Sequence, residues 1–344
     1  MNLNPLGRSE IRVSSFGLGV MSFGAKTPID DAFHQLDMAW NAGITLFDTA
    51  ENYPSPPMAQ TQGRSEEILG QWIAERGLRH KIVVATKVAG PGKAGGVIDM
   101  SHLRGEQRRL DRANIRAAIE GSLRRLGTDY VDLYQIHWPE RAITTLSRAR
   151  YSHLPDAPTQ VPIEETLAAL AELVTAGMVR QIGICNESPW GAMRYLNACA
   201  EGIGPRIASV QNGYSLLDRQ FEQGLAEVAM REQTGLLAYS PLARGLLTDS
   251  RLQAMQERGE TPAPGGRAEM AFAYRDLARR HGLSLSAMAL ASACQRPFTT
   301  AVLMAASSAE QLSENLRSVH VRLPNDLVKQ IDQLHDKRPN PRQP

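Results

Sequence analysis

The sequence predicts a closed (β/α)₈ barrel, an α/β fold in which eight parallel strands alternate with helices. Eight short apolar runs rich in Val, Ile, Leu and Tyr recur along the 344 residues, and such runs are typical of strands that are buried on both faces. Amphipathic segments with apolar residues at three- and four-residue spacing separate the runs. No strand–GxGxxG–helix unit appears, which disfavours the main alternative, a doubly wound open sheet. A barrel of about 250 residues with insertions therefore predicts one domain over residues 1–344.

The runs and the helical patterns give bounds for most elements. The predicted strands are residues 16–20, 44–48, 82–87, 131–137, 180–185, 208–211, 236–240 and 300–305. The predicted helices are residues 30–43, 64–77, 114–127, 163–176, 189–200, 220–233 and 310–319. The first three helices end at glycine, a common helix stop. Residues 6–15 read as a turn between short strands, which we expect to cap the lower end of the barrel.

Composition excludes several classes of function. Lys+Arg 38 against Asp+Glu 36 gives a net charge of +2, so no strong field favours nucleic acid or an acidic membrane. Three cysteines without ligand spacing predict neither a disulfide framework nor a metal site. No run approaches the ~20 apolar residues of a membrane span, and the first residues lack a signal-peptide pattern. We therefore expect a cytoplasmic protein, with residues 336–344 as a loosely held tail.

Three long segments follow strand ends and are predicted to lie on one face of the barrel, as functional covers or mobile loops. They are residues 89–111, 139–162 and 243–267. The middle one holds Arg141, Arg148 and Arg150 beside Tyr151 and His153. A solvated charged loop is the prediction there, and a contact with an anionic group is the alternative.

Polar side chains stand where the second, third and fourth predicted strands end. They are Asp48, with Tyr53 five residues later, Lys87 and His137. Singly, each has an ordinary explanation: a helix cap, a rim aromatic, a solubility residue and a core histidine. Together they predict a site with general-acid chemistry. A lysine ammonium can lower a tyrosine pKa from ~10 by about 1–3 units, an aspartate can keep that ammonium charged, and a histidine can position a carbonyl oxygen or relay protons.

Four segments then carry a family resemblance. FGLGVMSFG, FDTAENYP, ATKV and DLYQIHWPE resemble the signature segments of the aldo-keto reductase superfamily, in the same order over about residues 13–335. The likeness is greatest to the longer bacterial members, which are related to the potassium-channel β subunits. The resemblance implies NADPH bound without a Rossmann domain, with NADH as a second possibility. It also implies hydride transfer from nicotinamide C4 to a small aldehyde or ketone, with Tyr53 as the proton donor.

The resemblance also implies cofactor contacts. The carboxamide of nicotinamide would meet Asn186 and Gln211, Tyr239 would stack on the ring, and Ser240, Leu242 and Arg244 would lie near the pyrophosphate, with Arg267 as a further phosphate contact. Ser307 and Gln311 would face the 2′-phosphate, beside the start of a helix near Ser308, and Glu314 and Asn315 would contact adenine. An ordinary helix face is the alternative reading of this last segment.

Three departures from the family pattern bear on the cofactor. Cys185 stands where Ser is usual, Ala305 where Gly is usual, and Asp249 lies in a motif that commonly holds Lys. They would weaken cofactor affinity or blur the preference for NADPH over NADH. Two other functions remain alternatives: a nucleotide-sensing accessory subunit of low turnover, and a lyase with Lys87 as Schiff-base nucleophile. Metal-dependent hydrolysis is disfavoured, and neither the substrate nor a homo-oligomer can be read from the sequence.

Overall fold

The computed structural model describes residues 1–91, 100, 102–104, 108–143, 151–153, 155, 157 and 159–341. Ten strands lie in this part of the chain. They are β1 (Leu3–Pro5), β2 (Arg12–Ser14), β3 (Phe16–Gly19), β4 (Leu46–Asp48), β5 (Val83–Val88), β6 (Val131–Ile136), β7 (Val179–Cys185), β8 (Ile207–Gly213), β9 (Gly235–Tyr239) and β10 (Thr299–Met304). Strands β3 to β10 are parallel and close into a barrel, with β10 beside β3. The predicted (β/α)₈ barrel is thus confirmed.

Eleven α-helices are found in the same described residues. They are α1 (Ile29–Asn41), α2 (Arg64–Arg76), α3 (Arg112–Leu126), α4 (Ile163–Thr175), α5 (Pro189–Ala200), α6 (Leu225–Glu232), α7 (Asp249–Glu257), α8 (Arg267–Arg280), α9 (Leu285–Cys294), α10 (Ala309–Arg317) and α11 (Asn325–Lys337). None of them is both long and apolar enough to cross a bilayer. Helices α2 and α3 end as predicted, since Gly77 and Gly127 take left-handed φ angles of 60° and 62° that cost glycine little.

Apolar side chains alternate along the strands between two cores. In β5, Val84 packs outward in the core between barrel and helices, whereas Val83 and Ala85 face inward with Leu46 and Leu133, because successive strand side chains point to opposite faces. The predicted cap is present. Strands β1 and β2 pair antiparallel. Buried apolar side chains in and beside these two strands pack into the lower core of the barrel and close it at that end.

The parallel register sets the position of the upper rim. Asp48 pairs with Ala85 across β4 and β5, and Lys87 pairs with Gln135 across β5 and β6. All of these strands run in one direction, so their carboxyl ends meet at one edge of the barrel. The inward positions change there from apolar to polar, which builds a polar site on top of an apolar core.

Several predicted bounds were wrong. The predicted helix 220–233 is a 3₁₀ turn, Gln220–Glu222, followed by α6, because Gly224 at φ 105° interrupts it. The last predicted helix stops at Arg317 and continues as a 3₁₀ turn, Ser318–His320. Helices α7, α8, α9 and α11 were not given bounds from the sequence.

The tail is not loosely held over the part that the structure describes. Helix α11 runs to Lys337, Arg338 pairs with Glu269, and the side chain of Asn340 accepts a hydrogen bond from the Arg219 N–H at 2.7 Å. Residues 342–344 lie outside the described residues. These contacts fasten Arg338 and Asn340 to the barrel's helical shell.

Candidate active site

Asp48 and Lys87 form a buried ion pair at the upper rim. Lys87 Nζ lies 2.5 Å from Asp48 Oδ2 and donates a second hydrogen bond to the Thr49 carbonyl at 2.8 Å. The other oxygen of Asp48 accepts from the side-chain amides of Gln211, at 2.8 Å, and Gln135, at 3.2 Å. Asp48 does not cap the following helix, whose N-cap is Gly63. A buried pair with its remaining lone pairs satisfied in this way is held in one geometry.

The environment keeps Lys87 charged. Its side chain is wholly buried, and burial by itself would lower its pKa, because a low dielectric disfavours the ammonium. The charge of Asp48, contributions from neighbouring groups and the hydrogen bond to Asp48 together outweigh burial, and the pKa of Lys87 is raised above its usual value. Lys87 is therefore an ammonium ion at neutral pH, whereas a Schiff-base nucleophile needs a neutral amine.

Tyr53 lies against this pair. The Lys87 ammonium is 5.0 Å from the centroid of the Tyr53 ring. Burial raises the pKa of Tyr53 and the Lys87 charge lowers it, with a net value of about 12. Lys87 acts in the direction that the sequence indicates, but the desolvation of a phenolate in this pocket exceeds the effect of the ammonium. Tyr53 thus carries its proton at neutral pH and can act as a proton donor.

His137 completes the cluster directly after β6. Its Nδ1 lies 3.0 Å from the Asn52 side-chain oxygen, its ring stacks on Trp138 at 3.7 Å and 14°, and it meets Tyr53 edge-on at 5.7 Å. Burial, followed by the charge of Lys87, holds the pKa of His137 well below its usual value. The imidazole is therefore neutral at physiological pH and has one N–H donor and one lone pair.

A small apolar wall stands beside His137. Trp138 packs against Ala89, Met100 and Leu103 from the segment after β5. A carboxylate fastens that segment: Glu51 accepts from the Ala89 N–H at 2.6 Å and forms an ion pair with both guanidinium nitrogens of Arg104. The wall therefore has a fixed position next to the His137 ring.

Two further amide side chains contact the cluster. Asn186, at φ 58°, donates to the His137 carbonyl at 2.8 Å and accepts from the Tyr239 hydroxyl at 2.6 Å. Gln211 bonds Asp48 and also accepts a weak hydrogen bond from Cys185 Sγ at 3.7 Å. The polar atoms of both amides thus reach the four-residue cluster from β7 and β8.

A basic turn continues the rim beyond β9. Ser240 and Arg244 are exposed, at φ 53° and 58°, and Leu242 between them is half-buried. Arg267 begins α8 and donates to the Leu217 carbonyl at 3.2 Å. Burial lowers the pKa of Arg267 and the neighbouring Arg244 charge lowers it further, whereas Asp218 raises it. Two close guanidinium groups at a rim form a surface that favours anions.

The start of α10 lies at the end of the last barrel strand. Ser308 caps it, as the sequence predicted for a helix near this residue. Ser307 and Gln311 are exposed and bonded to each other, with Ser307 Oγ donating to the Gln311 side-chain oxygen at 2.9 Å. Glu314 accepts from Ser286 Oγ of α9 at 2.6 Å, and Asn315 is buried.

Comparison with known proteins decides the family. The profile described as the aldo/keto reductase family matches residues 15–336. The chain belongs to the aldo/keto reductase family. It is an oxidoreductase-type enzyme, and members of this family generally use NADP(H) and act on small carbonyl compounds.

Three relatives show how far the likeness extends. The chain is 42% identical to Protein tas of Escherichia coli K12 over 97% of this chain and 98% of that protein. It is 30% identical to the uncharacterized oxidoreductase YrpG of Bacillus subtilis, over 97% and 96% of the two chains. It is also 30% identical to L-glyceraldehyde 3-phosphate reductase of Escherichia coli O157:H7, over 95% and 90%. The likeness is therefore to whole barrels and not to a shared fragment.

The departures from the aldo/keto reductase pattern have structural consequences. Asp249 turns away from the rim: its carboxylate accepts from the Leu285 N–H at 2.8 Å, at the start of α9, and meets Arg279 at 3.4 Å. Cys185 is buried, and burial raises the pKa of its thiol to about 12, so it is an inert thiol. Ala305 is exposed. The carboxylate of Asp249 thus ties α7 to both α8 and α9.

The sequence allowed a contact between an anionic group and the arginines of residues 139–162, but Arg141 is bonded to a carboxylate of this chain. Arg141 donates to both oxygens of Glu187, at 2.7 and 2.6 Å, and to Ser188 Oγ at 2.9 Å. Tyr151 is exposed with its hydroxyl 3.1 Å from His153 Nδ1. Arg148 and Arg150 lie outside the described residues. Arg141 is therefore a tie between this loop and the start of α5.

Sequence reasoning missed three polar residues around the site. Gln135 lies on β6, two positions before His137, so both side chains face the barrel interior. A single Gln in an otherwise apolar run was the sequence signal that could have indicated it. Glu51 and Asn52 precede Tyr53 directly, but nothing in their spacing indicates that Glu51 bonds Arg104 and Asn52 bonds His137.

Proposed function

We propose that this aldo/keto reductase reduces an aldehyde or ketone to an alcohol with NADPH, and that Asp48, Tyr53, Lys87 and His137 are its catalytic residues. The observation that carries the proposal is the Lys87–Asp48 pair at 2.5 Å beside a protonated Tyr53. Bound NADPH would supply a hydride to the carbonyl carbon. Side chains of this protein would bind the substrate, position its carbonyl oxygen and donate the proton.

Tyr53 would donate the proton that the carbonyl oxygen needs. Its pKa of about 12 keeps it protonated before the reaction. As the proton leaves, the Lys87 ammonium, 5.0 Å from the ring centroid, stabilises the phenolate. Asp48 keeps that ammonium charged and fixed. The positive charge is in place before the reaction and needs no reorganisation during it.

His137 would position the same oxygen without adding a second positive charge. Its imidazole is neutral and rigidly stacked on Trp138. The apolar wall of Trp138, Met100 and Leu103 would bind the carbon part of the substrate and exclude water. Aldehydes and ketones of moderate size with an apolar or aromatic group are the substrates that this lining favours.

The rim beyond β9 has the donor chemistry that a phosphorylated dinucleotide needs. Asn186 and Gln211 offer amide donors and acceptors for a carboxamide, with Tyr239 beside them. Ser240, Arg244 and Arg267 would hold the pyrophosphate, with Leu242 packed between them. Ser307 and Gln311, at the first turn of α10, would meet the 2′-phosphate, and Glu314 and Asn315 would lie towards adenine, as set out from the family pattern.

The test is a panel of aldehydes and ketones with NADPH or NADH, following cofactor oxidation by absorbance. We expect turnover with several aldehydes and a higher kcat/KM with NADPH. The Lys81→Met variant, at an exposed lysine, should match the wild type, and Lys87→Met should lose turnover. Trapping of a carbonyl compound on Lys87 by borohydride, without any cofactor oxidation across the panel, would contradict the proposal and favour a lyase.

A further inference from the structure

Asn52 is placed to control the hydrogen on the His137 ring. It is buried, and its side-chain oxygen lies 3.0 Å from His137 Nδ1. A neutral imidazole carries one hydrogen, on Nδ1 or on Nε2, and the partner of one nitrogen decides the state of the other. With the Asn52 oxygen as acceptor, the hydrogen lies on Nδ1, and Nε2 keeps its lone pair.

The other groups around the ring do not make this choice. Trp138 covers one face of the imidazole, and Tyr53 meets it edge-on. Lys87 contributes a positive charge, which is paired to Asp48. The backbone of His137 is fixed by hydrogen bonds to Val88 and Asn186, neither of which involves the ring. Among the described residues, no carboxylate is hydrogen-bonded to this imidazole.

An asparagine suits this position because its amide is uncharged and has both a donor and an acceptor. Rotation of the amide by half a turn would present its NH₂ group to Nδ1 and move the hydrogen to Nε2. A carbonyl oxygen accepts hydrogen bonds only, whereas an alcohol both donates and accepts. The two amide orientations therefore match the two forms of the substrate oxygen, and neither needs the imidazole to change its charge.

We propose that Asn52 is a positioning residue that holds the hydrogen of His137 on Nδ1 in the ligand-free protein and, by reversing its amide when a carbonyl oxygen binds, favours the Nε2–H form; the Nδ1 proton is given up to solvent and Nε2 takes one from solvent, so that the ring stays neutral. The proposal rests on the carbonyl reduction proposed above for its second half. Its first half concerns the ligand-free protein alone. Asn52 acts through His137 and does not itself touch the reacting atoms.

The direct test is the tautomer of His137, read from ¹⁵N NMR shifts of protein labelled at histidine. The chain has eight histidines, and the His137→Gln variant assigns the signal by its loss. We expect a protonated Nδ1 and an unprotonated Nε2 in the wild type, unchanged through neutral pH. In Asn52→Leu the signal should move towards the Nε2–H form, and the Asn197→Leu control, at an exposed position on α5, should leave it unchanged.

Kinetics separate positioning from a structural role. Asn52→Leu should lower kcat for reduction by about 3- to 10-fold at every pH, the loss of one neutral hydrogen bond. Asn52→Asp nearly preserves shape but is an acceptor with a charge, which favours the imidazolium form. Its kcat should therefore fall as the pH rises through the new His137 pKa, because deprotonation leaves Nε2 without a hydrogen, whereas the wild type stays flat there.

Two results would overturn the proposal. One is a wild-type ring that carries its hydrogen on Nε2 or on both nitrogens in the ligand-free protein. The other is a pair of variants, Asn52→Leu and Asn52→Asp, with the wild-type tautomer and identical pH profiles. The NMR measurement needs no turnover. It stands if carbonyl reduction fails in the substrate panel, and a failure of the NMR prediction leaves that panel unaffected.

Discussion

The Asp48→Asn substitution is expected to destabilise the protein in a pH-dependent manner. It leaves the wholly buried Lys87 ammonium without its counter-ion. It also creates a donor–donor contact in either amide orientation, because Gln211 and Gln135 aim amide N–H groups at one oxygen of Asp48 and Lys87 aims its ammonium at the other. Removal of one partner from a buried pair costs about 3–5 kcal/mol of unfolding free energy.

The pH dependence follows from the pKa of Lys87. In the wild type it lies above its usual value of 10.5, so the group stabilises the fold below that value and this contribution is lost as the pH rises through the folded-state pKa. In Asp48→Asn, burial is no longer outweighed and the pKa of Lys87 falls. The penalty on the variant is then complete below this lowered pKa and disappears as the pH rises to 10.5. The stability gap should be widest near pH 6–8 and narrow towards pH 10.

Urea unfolding of both proteins across this pH range measures the gap, with Asp129→Asn as the exposed control. A double variant, Asp48→Asn with Lys87→Met, removes both charges. It should regain much of the lost stability without regaining activity. A gap that does not change between pH 6 and pH 10, or a double variant less stable than Asp48→Asn, would refute the account of this ion pair.

Two further predictions concern the wall and the basic rim. Glu51→Gln removes the charge that holds Arg104 and thereby loosens the segment that carries the wall. The KM for an aromatic aldehyde should therefore rise by about 3- to 10-fold, with a smaller change in kcat. Steady-state kinetics in which kcat falls more than KM rises would contradict this. Arg267→Ala should raise the Kd for NADPH and for NADH by about tenfold each, because both nucleotides carry the pyrophosphate. A fluorescence titration with the exposed Arg251→Ala as control measures this, and an effect on NADPH alone would place Arg267 away from the pyrophosphate.

The barrel could be predicted because its signal is local. Each strand is a short apolar run such as residues 82–87, which the structure gives as Val83–Val88, and polar residues stand at the ends of three neighbouring strands. The helices near the end of the chain were harder to bound. Helix α9 is apolar on nearly all sides, so it lacks the amphipathic pattern on which the prediction relied.

The inner part of the site shows what sequence spacing cannot give. Asp48, Lys87 and His137 were found because they end neighbouring strands. The contacts of Gln135 and Asn52 depend on which side chains meet across the barrel, and the pKa of Tyr53 depends on how much water the folded pocket excludes. The sequence therefore indicates which groups meet at the rim, and the balance between burial and charge appears only in three dimensions.

The central claim is that Tyr53 gives its proton to the substrate oxygen. The most direct measurement is single-turnover aldehyde reduction by Tyr53→Phe, with NADPH binding measured separately by fluorescence. We expect the rate to fall by about 10²- to 10⁴-fold while the Kd for NADPH stays within about twofold, and Tyr130→Phe, at the opposite end of β6, to match the wild type. A near wild-type rate in Tyr53→Phe would contradict the account.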